Sequence, residues 1–124
     1  MLSFFKRWGP AILICLFLFA SSATPGAQVS SNQAVDFAAH KSIHVIMYSL
    51  LFLSFYRGSK SILVAAILAI LYGASDEFHQ TFVPSRMGSV RDLVIDSVAV
   101  LITAGFVWKF FQLLPVKLQS WLKD

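Results

Sequence analysis

Runs of apolar residues separated by short polar stretches dominate this chain. The runs cover residues 8–23, 43–56, 62–75 and 93–114. A helix that crosses a bilayer needs about 20 residues, so the last run is long enough alone and the others must include polar residues at their ends. We therefore predict four membrane-crossing helices. They lie near residues 8–24, 31–56, 61–80 and 90–114.

Short sequence signals mark the ends of these predicted helices. Ser30-x-x-Gln33 and Ser89-x-x-Asp92 fit the capping-box pattern, which predicts that the second and fourth helices start there. Only residues 57–61 separate the second helix from the third. These two helices should therefore form a tight antiparallel hairpin.

The composition favours lipid rather than water as the solvent. Hydrophobic residues make up 57% of the 124 residues and charged residues only 13%, whereas soluble domains average about 25% charged residues. The predicted fold is an all-α membrane protein, a single domain over residues 1–124 built as a bundle of four transmembrane helices. After Pro115 the chain mixes apolar and basic residues, which predicts a short amphipathic C-terminal tail on the membrane surface.

The first apolar run has a second interpretation. Lys6 and Arg7 precede it, and it ends in Ser21-x-Ala23, as in a secretory signal peptide with its cleavage site. Cleavage would leave three helices. We favour four helices because the rest of the chain is itself membranous, and the alternative stays open.

The positions of Lys and Arg predict the orientation in the membrane. With a cytoplasmic N-terminus and four crossings, seven of these cations lie inside and three outside, in keeping with the positive-inside rule. The inner ones are Lys6, Arg7, Arg57, Lys60, Lys109, Lys117 and Lys123. The outer ones are Lys41, Arg86 and Arg91. We expect both termini in the cytoplasm, and the formal net charge of +4 requires no nucleic acid as a partner.

The other ionisable residues collect on the predicted outer side. Five of the six acidic residues and all three histidines fall there. Residues three or four positions apart share a helix face, so the spacing gathers these side chains into stripes on three helices. We predict a polar pocket near the outer membrane surface. Its candidate residues are Lys41, His44, Tyr48, Asp76, Glu77, Gln80, Arg86, Asp92 and Asp96.

Asp96 is the most informative of these residues because it follows the first apolar turn of the fourth helix. An acidic side chain at the centre of a bilayer costs about 2.5–3.5 kcal/mol on insertion scales. One turn inside the helix the cost is smaller, but the carboxylate should still face protein and have a partner. Lys41, Arg86, Arg91 or a histidine could serve.

His40 and His44 are one helical turn apart, a spacing that suits zinc. No complete metalloprotease signature accompanies them, and no serine lies in a nucleophile-elbow pattern. We therefore expect neither a metal nor a cofactor. Whether the chain is an enzyme stays open.

Residues 75–97, SDEFHQTFVPSRMGSVRDLVIDS, closely resemble the central signature of the VanZ-like family. The family pattern is an acid pair, a Gln three residues on, Phe-Val-Pro, an Arg, then an Asp and a second polar residue one turn later. Upstream, Lys41-x-x-His44-x-x-x-Tyr48 matches the Lys, His and Tyr of the family's second helix. The likeness covers nearly the whole chain.

The resemblance implies a four-helix protein of the bacterial cell membrane. The family's founding member is associated with resistance to teicoplanin, a lipid-bearing glycopeptide. We therefore expect the outer pocket to bind or modify a lipid-linked or cell-surface molecule, with membrane lipid, a cell-wall component or a lipoglycopeptide as partner. This chain departs from many members at His40, where they carry Asp, and at Asp96, where they carry Asn. Two alternatives stay open: a membrane enzyme that uses the His, Asp and Glu cluster, and a purely structural bundle held by salt bridges.

Overall fold

The computed structural model describes residues 1–24, 30–84 and 87–124, and within these ranges the chain forms helices and no strand. The four long helices are α1 (Leu2–Ser22), α2 (Gln33–Ser59), α3 (Ile62–Gln80) and α4 (Val90–Phe110). A 3-10 turn over Phe111–Leu113 follows α4, and a short helix, α5 (Val116–Lys123), lies at the C-terminus. The predicted all-α architecture with its short amphipathic tail is confirmed.

Each of the four long helices is long and apolar enough to cross a membrane. The spans contain 21, 27, 19 and 24 residues, the last including the 3-10 turn, and a bilayer requires about 20. Large apolar side chains cover the outside of the bundle, since Leu13 is 68% exposed, Leu63 70% and Ile102 68%. Lipid solvates such a surface, so the predicted bundle of four transmembrane helices is confirmed.

The four helices alternate in direction, which gives the bundle two chemically different ends. At one end α1 and α3 finish while α2 and α4 begin; we call it the acidic end, because Asp36, Asp76, Glu77, Asp92 and Asp96 lie there. The opposite end holds both chain termini, the α2–α3 connection and α5. We call it the basic end. Its cations are Lys6, Arg7, Arg57, Lys60, Lys109, Lys117 and Lys123.

The start of α2 differs from the sequence prediction. Asn32, not Ser30, is the N-cap: its side-chain oxygen accepts the backbone N–H groups of Ala34 and Val35 at 3.0 and 3.3 Å. Ser30 Oγ instead accepts the backbone N–H of Asn32 at 3.2 Å. The predicted capping box was wrong because a better acceptor lies one residue before the first helical turn.

The end of α2 also differs. The helix continues to Ser59, three residues beyond the predicted end at Tyr56, so only Lys60 and Ser61 connect it to α3. Lys60 makes the turn possible by adopting a left-handed conformation with φ of 59°, and Ser61 caps α3 by accepting the N–H of Val64 at 3.3 Å. The hairpin is thus tighter than predicted.

The centre of the core is α2, which packs against α1, α3 and α4. Its side chains Tyr48, Leu51 and Phe52 are each at most 1% exposed. Small residues on the facing side of α3, including Ala65 and Ala69, are fully buried and let the two helix backbones come close. This close packing fixes how the polar stripes of α2 and α3 face one another.

A proline inside α1 determines how the basic end is closed. Pro10 has no N–H, so the carbonyl oxygen of Lys6 lacks its helical donor. Arg57 supplies it, because its Nε and Nη2 donate to Lys6 O at 3.3 and 3.1 Å. Arg57 Nη1 also donates to the carbonyl of Trp121 in α5. This buried arginine, only 8% exposed, therefore joins α1, α2 and α5.

Candidate functional site

The acidic end is linked across the bundle by an ion pair between α2 and α4. Lys41 Nζ contacts Asp92 Oδ1, and the two side chains are 21% and 26% exposed. Asp92 lies in the first turn of α4, where Ser89 is the N-cap, as predicted, and accepts the Asp92 N–H at 3.4 Å. The pair therefore joins the beginning of α4 to α2 at the acidic end.

One turn deeper, a histidine and an aspartate form a second contact between the same two helices. His44 Nδ1 lies 3.4 Å from Asp96 Oδ2. The Asp96 side chain is 2% exposed and that of His44 is 26% exposed. Asp96 therefore has the partner that a carboxylate at this depth requires, and the partner is a histidine from the predicted set.

Tyr48 lies below His44 on the same face of α2, and the two rings stack at 6.2 Å. Its ring lies against Gly73 of α3, where an added Cβ would lie only 3.2 Å from Tyr48 Cε1. The phenol oxygen is buried and has no hydrogen-bond partner in the described part of the chain. It interacts electrostatically with Asp76 and Asp96, so the hydroxyl lies among acidic groups from α3 and α4.

Asp76 and Gln80 line the last turns of α3 and are 4% and 5% exposed. Gln80 Nε2 donates to Asp76 Oδ2 at 3.2 Å. Asp76 Oδ1, however, is buried without a partner among the described residues. A buried polar atom without a hydrogen bond costs about 1–3 kcal/mol, so the unpaired oxygen of Asp76 destabilises the folded protein.

Glu77 has a different neighbour, because its carboxylate faces the connection between α3 and α4. Glu77 Oε2 accepts the backbone N–H of Ser89 at 2.8 Å. Gly88 lies so close that an added Cβ would be 2.4 Å from the Glu77 carbonyl oxygen. Glu77 therefore holds the start of α4 against the end of α3 and positions Asp92 and Asp96.

Eight of the nine predicted pocket residues lie together at the acidic end, linked by the contacts above or by electrostatic interactions. We call this group the polar cluster. Its members are Lys41, His44, Tyr48, Asp76, Glu77, Gln80, Asp92 and Asp96. The ninth residue, Arg86, lies outside the described residues.

Three other polar residues of α2 and α3 make their hydrogen bonds or ring contacts outside the cluster. His40 Nδ1 is 2.8 Å from the backbone oxygen of Asp36. His79 stacks on Phe19 of α1 with 4.5 Å between the ring centroids. Tyr72 donates its hydroxyl to the carbonyl of Cys15 at 2.5 Å. Thus His79 and Tyr72 belong to the α1–α3 interface.

Two residues that shape the cluster were missed by the sequence analysis. Phe37 lies beneath two cations, with Lys41 Nζ 5.3 Å and the Arg91 guanidinium 5.2 Å from its ring centre. Gly73 makes room for Tyr48. Phe37 stands one turn before Lys41, and that i, i+4 spacing was a usable signal. No such signal marks Gly73, because it acts across two helices.

His40 and His44, whose one-turn spacing would suit zinc, do not converge on a common point. His40 and His44 contact different aspartates, Asp36 and Asp96. Within the described ranges no three His, Cys, Asp or Glu residues are grouped as metal ligands would be.

Fold and cluster together define a class: a small membrane protein with four apolar helices and ionisable side chains gathered at one end. A comparison of the sequence with family models identifies the family within this class. A family model described as VanZ/LLP1 matches residues 5–112, which include the whole polar cluster. The chain belongs to the VanZ/LLP1 family, as its resemblance predicted. Comparison with curated proteins and with solved structures produced no match.

Proposed function

We propose that the polar cluster binds the headgroup of a lipid-linked or cell-surface molecule. One observation carries the proposal: Asp76 Oδ1 and Tyr48 Oη are buried in the membrane-spanning bundle without partners in the described part of the chain. Buried polar atoms in native proteins are nearly always hydrogen-bonded. Those left unsatisfied are expected where function takes precedence over stability.

The chemistry of the cluster favours a ligand that donates hydrogen bonds. Asp92, Asp96 and Glu77 already contact Lys41, His44 and the Ser89 N–H, respectively. Asp76 Oδ1 is a buried acceptor without a partner among the described residues, and the Tyr48 hydroxyl can both donate and accept. An amine, amide or sugar hydroxyl would fit these groups. The apolar outer surface of the helices would accommodate the ligand's acyl chains.

The proposal includes an orientation, with the acidic end outside the cell membrane and both termini in the cytoplasm. It rests on the seven cations of the basic end, because cytoplasmic loops of membrane proteins are enriched in Lys and Arg. A green fluorescent protein fused to the C-terminus should fluoresce, and alkaline phosphatase fused there should be inactive. The reverse pair of results would refute the orientation.

A cellular assay tests whether the binding concerns teicoplanin, as the family resemblance implies. Cells that express the protein should survive higher teicoplanin concentrations than cells without it, and Asp76→Asn should abolish the difference. Gln80 donates to Oδ2, so the amide nitrogen of the introduced asparagine takes the place of the free Oδ1 and a donor replaces an acceptor. Loss of a hydrogen bond to a charged group costs about 1.5–3 kcal/mol, a tenfold or greater loss of affinity.

The matched control is Ser42→Ala, because Ser42 is exposed and its hydroxyl donates to the carbonyl of Ala38 in its own helix, at 2.8 Å. It should behave as the wild type. Membrane levels of all variants are measured by immunoblot. If Asp76→Asn protects cells as well as Ser42→Ala does, the proposed role of the cluster fails.

A second candidate function is catalysis by His44. A buried carboxylate beside Nδ1, at 3.4 Å, orients the imidazole and leaves Nε2 to accept a proton from water or a hydroxyl, an arrangement typical of general bases. The headgroup bound by the cluster would then be a substrate. His44→Gln removes the base and preserves a side chain that can hydrogen-bond to Asp96.

Mass spectrometry of membrane lipids and cell-wall fragments distinguishes catalysis from binding. A catalytic role predicts that one species accumulates in cells with His44→Gln and is converted in cells with the wild type. Identical profiles in both strains, with equal protein levels, would eliminate the enzymatic candidate and leave binding in place.

A further inference from the structure

The basic end has seven cationic side chains and one acidic side chain, Asp124. In the described ranges the ion pairs formed by side chains lie at the acidic end instead. Backbone carbonyls accept hydrogen bonds from two of these cations. Arg57 donates to two carbonyls, and Lys60 Nζ donates to Leu122 O and Lys123 O at 2.9 and 2.6 Å. These carbonyls carry no net charge, and Asp124, whose charge acts on Lys60, offsets only part of the positive charge.

Arg7 has a buried donor that is not used within the described residues. Its Nη2 donates to the carbonyl of Gly58 at 2.7 Å, which fixes the guanidinium at the end of α2. Its Nε is buried and has no partner in the described residues. Desolvation, and then the charges of Arg7 and Arg57, lower the pKa of Lys60, while the charge of Asp124 partly opposes the shift. Three cations are therefore held near one another, and an anion between them would relieve their repulsion.

An apolar groove begins at Trp8, the residue that follows Arg7 in α1. Trp8 lies at its start, with its ring so close to Gly58 that an added Cβ there would be 2.7 Å away. The groove has a volume of about 330 Å³ and is lined by Trp8, Ile12, Leu16 and Phe19 of α1, with Phe55 of α2 and Tyr72 of α3. Its lining is almost entirely apolar.

The length of the groove matches one leaflet of a bilayer. Trp8 and Phe19 are eleven residues apart on α1, which corresponds to about 16 Å at about 1.5 Å per residue. The hydrocarbon core of a bilayer is about 30 Å thick, so one leaflet contributes about 15 Å. A single acyl chain can thus lie along the groove with its headgroup at Arg7.

We propose that one anionic phospholipid binds at the basic end, with its phosphate between Arg7 and Lys60 and one acyl chain in the α1 groove. Basic pockets between helices on the cytoplasmic side are known to bind anionic headgroups, and the guanidinium forms strong bonds to phosphate oxygens. Free phosphate offers the same headgroup chemistry. The adjoining groove favours the lipid, because only the lipid occupies both parts.

Native mass spectrometry of the whole chain in neutral detergent tests the proposal. The probes are dioleoyl-phosphatidylglycerol, dioleoyl-phosphatidylcholine and inorganic phosphate. The wild type should bind phosphatidylglycerol at least about tenfold more tightly than phosphatidylcholine, which corresponds to about 1.4 kcal/mol. Phosphate should compete only weakly. Equal binding of both lipids, or competition by phosphate at the lipid's own concentration, would overturn the lipid site.

Charge variants separate a defined site from general attraction. Arg7→Gln and Lys60→Gln should each weaken phosphatidylglycerol binding about tenfold. Lys109→Gln, which removes the same charge from an exposed position of α4 at the same end, should change it less than twofold. Circular dichroism verifies that each variant is folded. Equal losses in the three variants would show diffuse electrostatics and refute the site.

The groove has its own test. Ile12 is 41% exposed and faces the groove, so Ile12→Trp fills part of it without disturbing the core. The substitution should weaken phosphatidylglycerol binding several-fold and leave the weak phosphate competition unchanged. Unaltered lipid affinity in Ile12→Trp would refute the assignment of an acyl chain to this groove.

Discussion

The contact between Arg57 and the carbonyl of Lys6 is predicted to depend on Pro10. Because proline supplies no N–H, Lys6 O has no donor within α1, and the Nε and Nη2 groups of Arg57 take its place at 3.3 and 3.1 Å. Arg57→Met removes both donors and the bond to Trp121. Pro10→Ala restores the helical donor. The two substitutions together therefore form a double-mutant cycle.

The expected magnitude follows from the contacts of the guanidinium. Hydrogen bonds between membrane helices average about 0.6 kcal/mol, and Arg57 satisfies two carbonyl acceptors. The guanidinium also lies 4.8 Å from the Trp121 ring centre, a cation–π contact that contributes about 0.5–1 kcal/mol. Arg57→Met should therefore lower the free energy of unfolding by about 2 kcal/mol.

The cycle is measured by unfolding in mixed detergent and dodecyl sulfate micelles, monitored by circular dichroism. Part of the loss in Arg57→Met is the unpaired Lys6 carbonyl, and an unsatisfied group costs about 1–3 kcal/mol. Pro10→Ala should recover about 1 kcal/mol more in the Arg57→Met background than in the wild type. The intrinsic cost of proline in a helix cancels between the two backgrounds. Effects that add within about 0.3 kcal/mol would refute the reasoning.

The remaining predictions concern the packing and ion pairing around the polar cluster. Gly73→Ala should destabilise the protein by about 1 kcal/mol, because the added Cβ would lie 3.2 Å from the Tyr48 ring. At Gly105 an added Cβ would meet no atom within 4 Å apart from its chain neighbours and the backbone of its own helix, so Gly105→Ala should instead stabilise the protein by up to about 1 kcal/mol through helix propensity. If Gly73→Ala stabilises the protein as much as Gly105→Ala does, the packing argument is refuted. A double-mutant cycle of Lys41→Met and Asp92→Asn should give a coupling below about 1 kcal/mol, since the pair is partly exposed. A coupling above about 2 kcal/mol in the same unfolding assay would show that the pair holds the bundle together.

The number and the approximate positions of the helices were predictable from the sequence because they depend on local patterns. The apolar runs identified four spans, and Ser89 was correctly predicted as the cap of α4. Helical periodicity also put Lys41, His44 and Tyr48 on one face of α2, where contacts to α3 and α4 now link them. Local spacing fixes which side chains share a face, and that part of the site followed from it.

Partners across helices were not predictable, because they depend on how each helix is rotated. The sequence offered a lysine, two arginines or a histidine as the partner of Asp96, and the packing of α2 against α4 selected His44. His79 shares a face with Asp76 by spacing alone, yet its ring stacks on Phe19 of α1. The hydrogen bonds from Arg57 to the Lys6 carbonyl were likewise not predictable, since these residues are 51 positions apart in the sequence. The start of α1 at Leu2, six residues before the predicted start, was also missed.

The central claim is that the polar cluster is a binding site, and co-purification tests it most directly. Wild type, Asp76→Asn and Ser42→Ala are each incubated in neutral detergent with a bacterial envelope lipid extract, purified again and analysed by mass spectrometry. We predict that one species with an amine, amide or sugar headgroup is retained by the wild type and Ser42→Ala and lost from Asp76→Asn. Identical retained species in all three folded proteins would contradict the account.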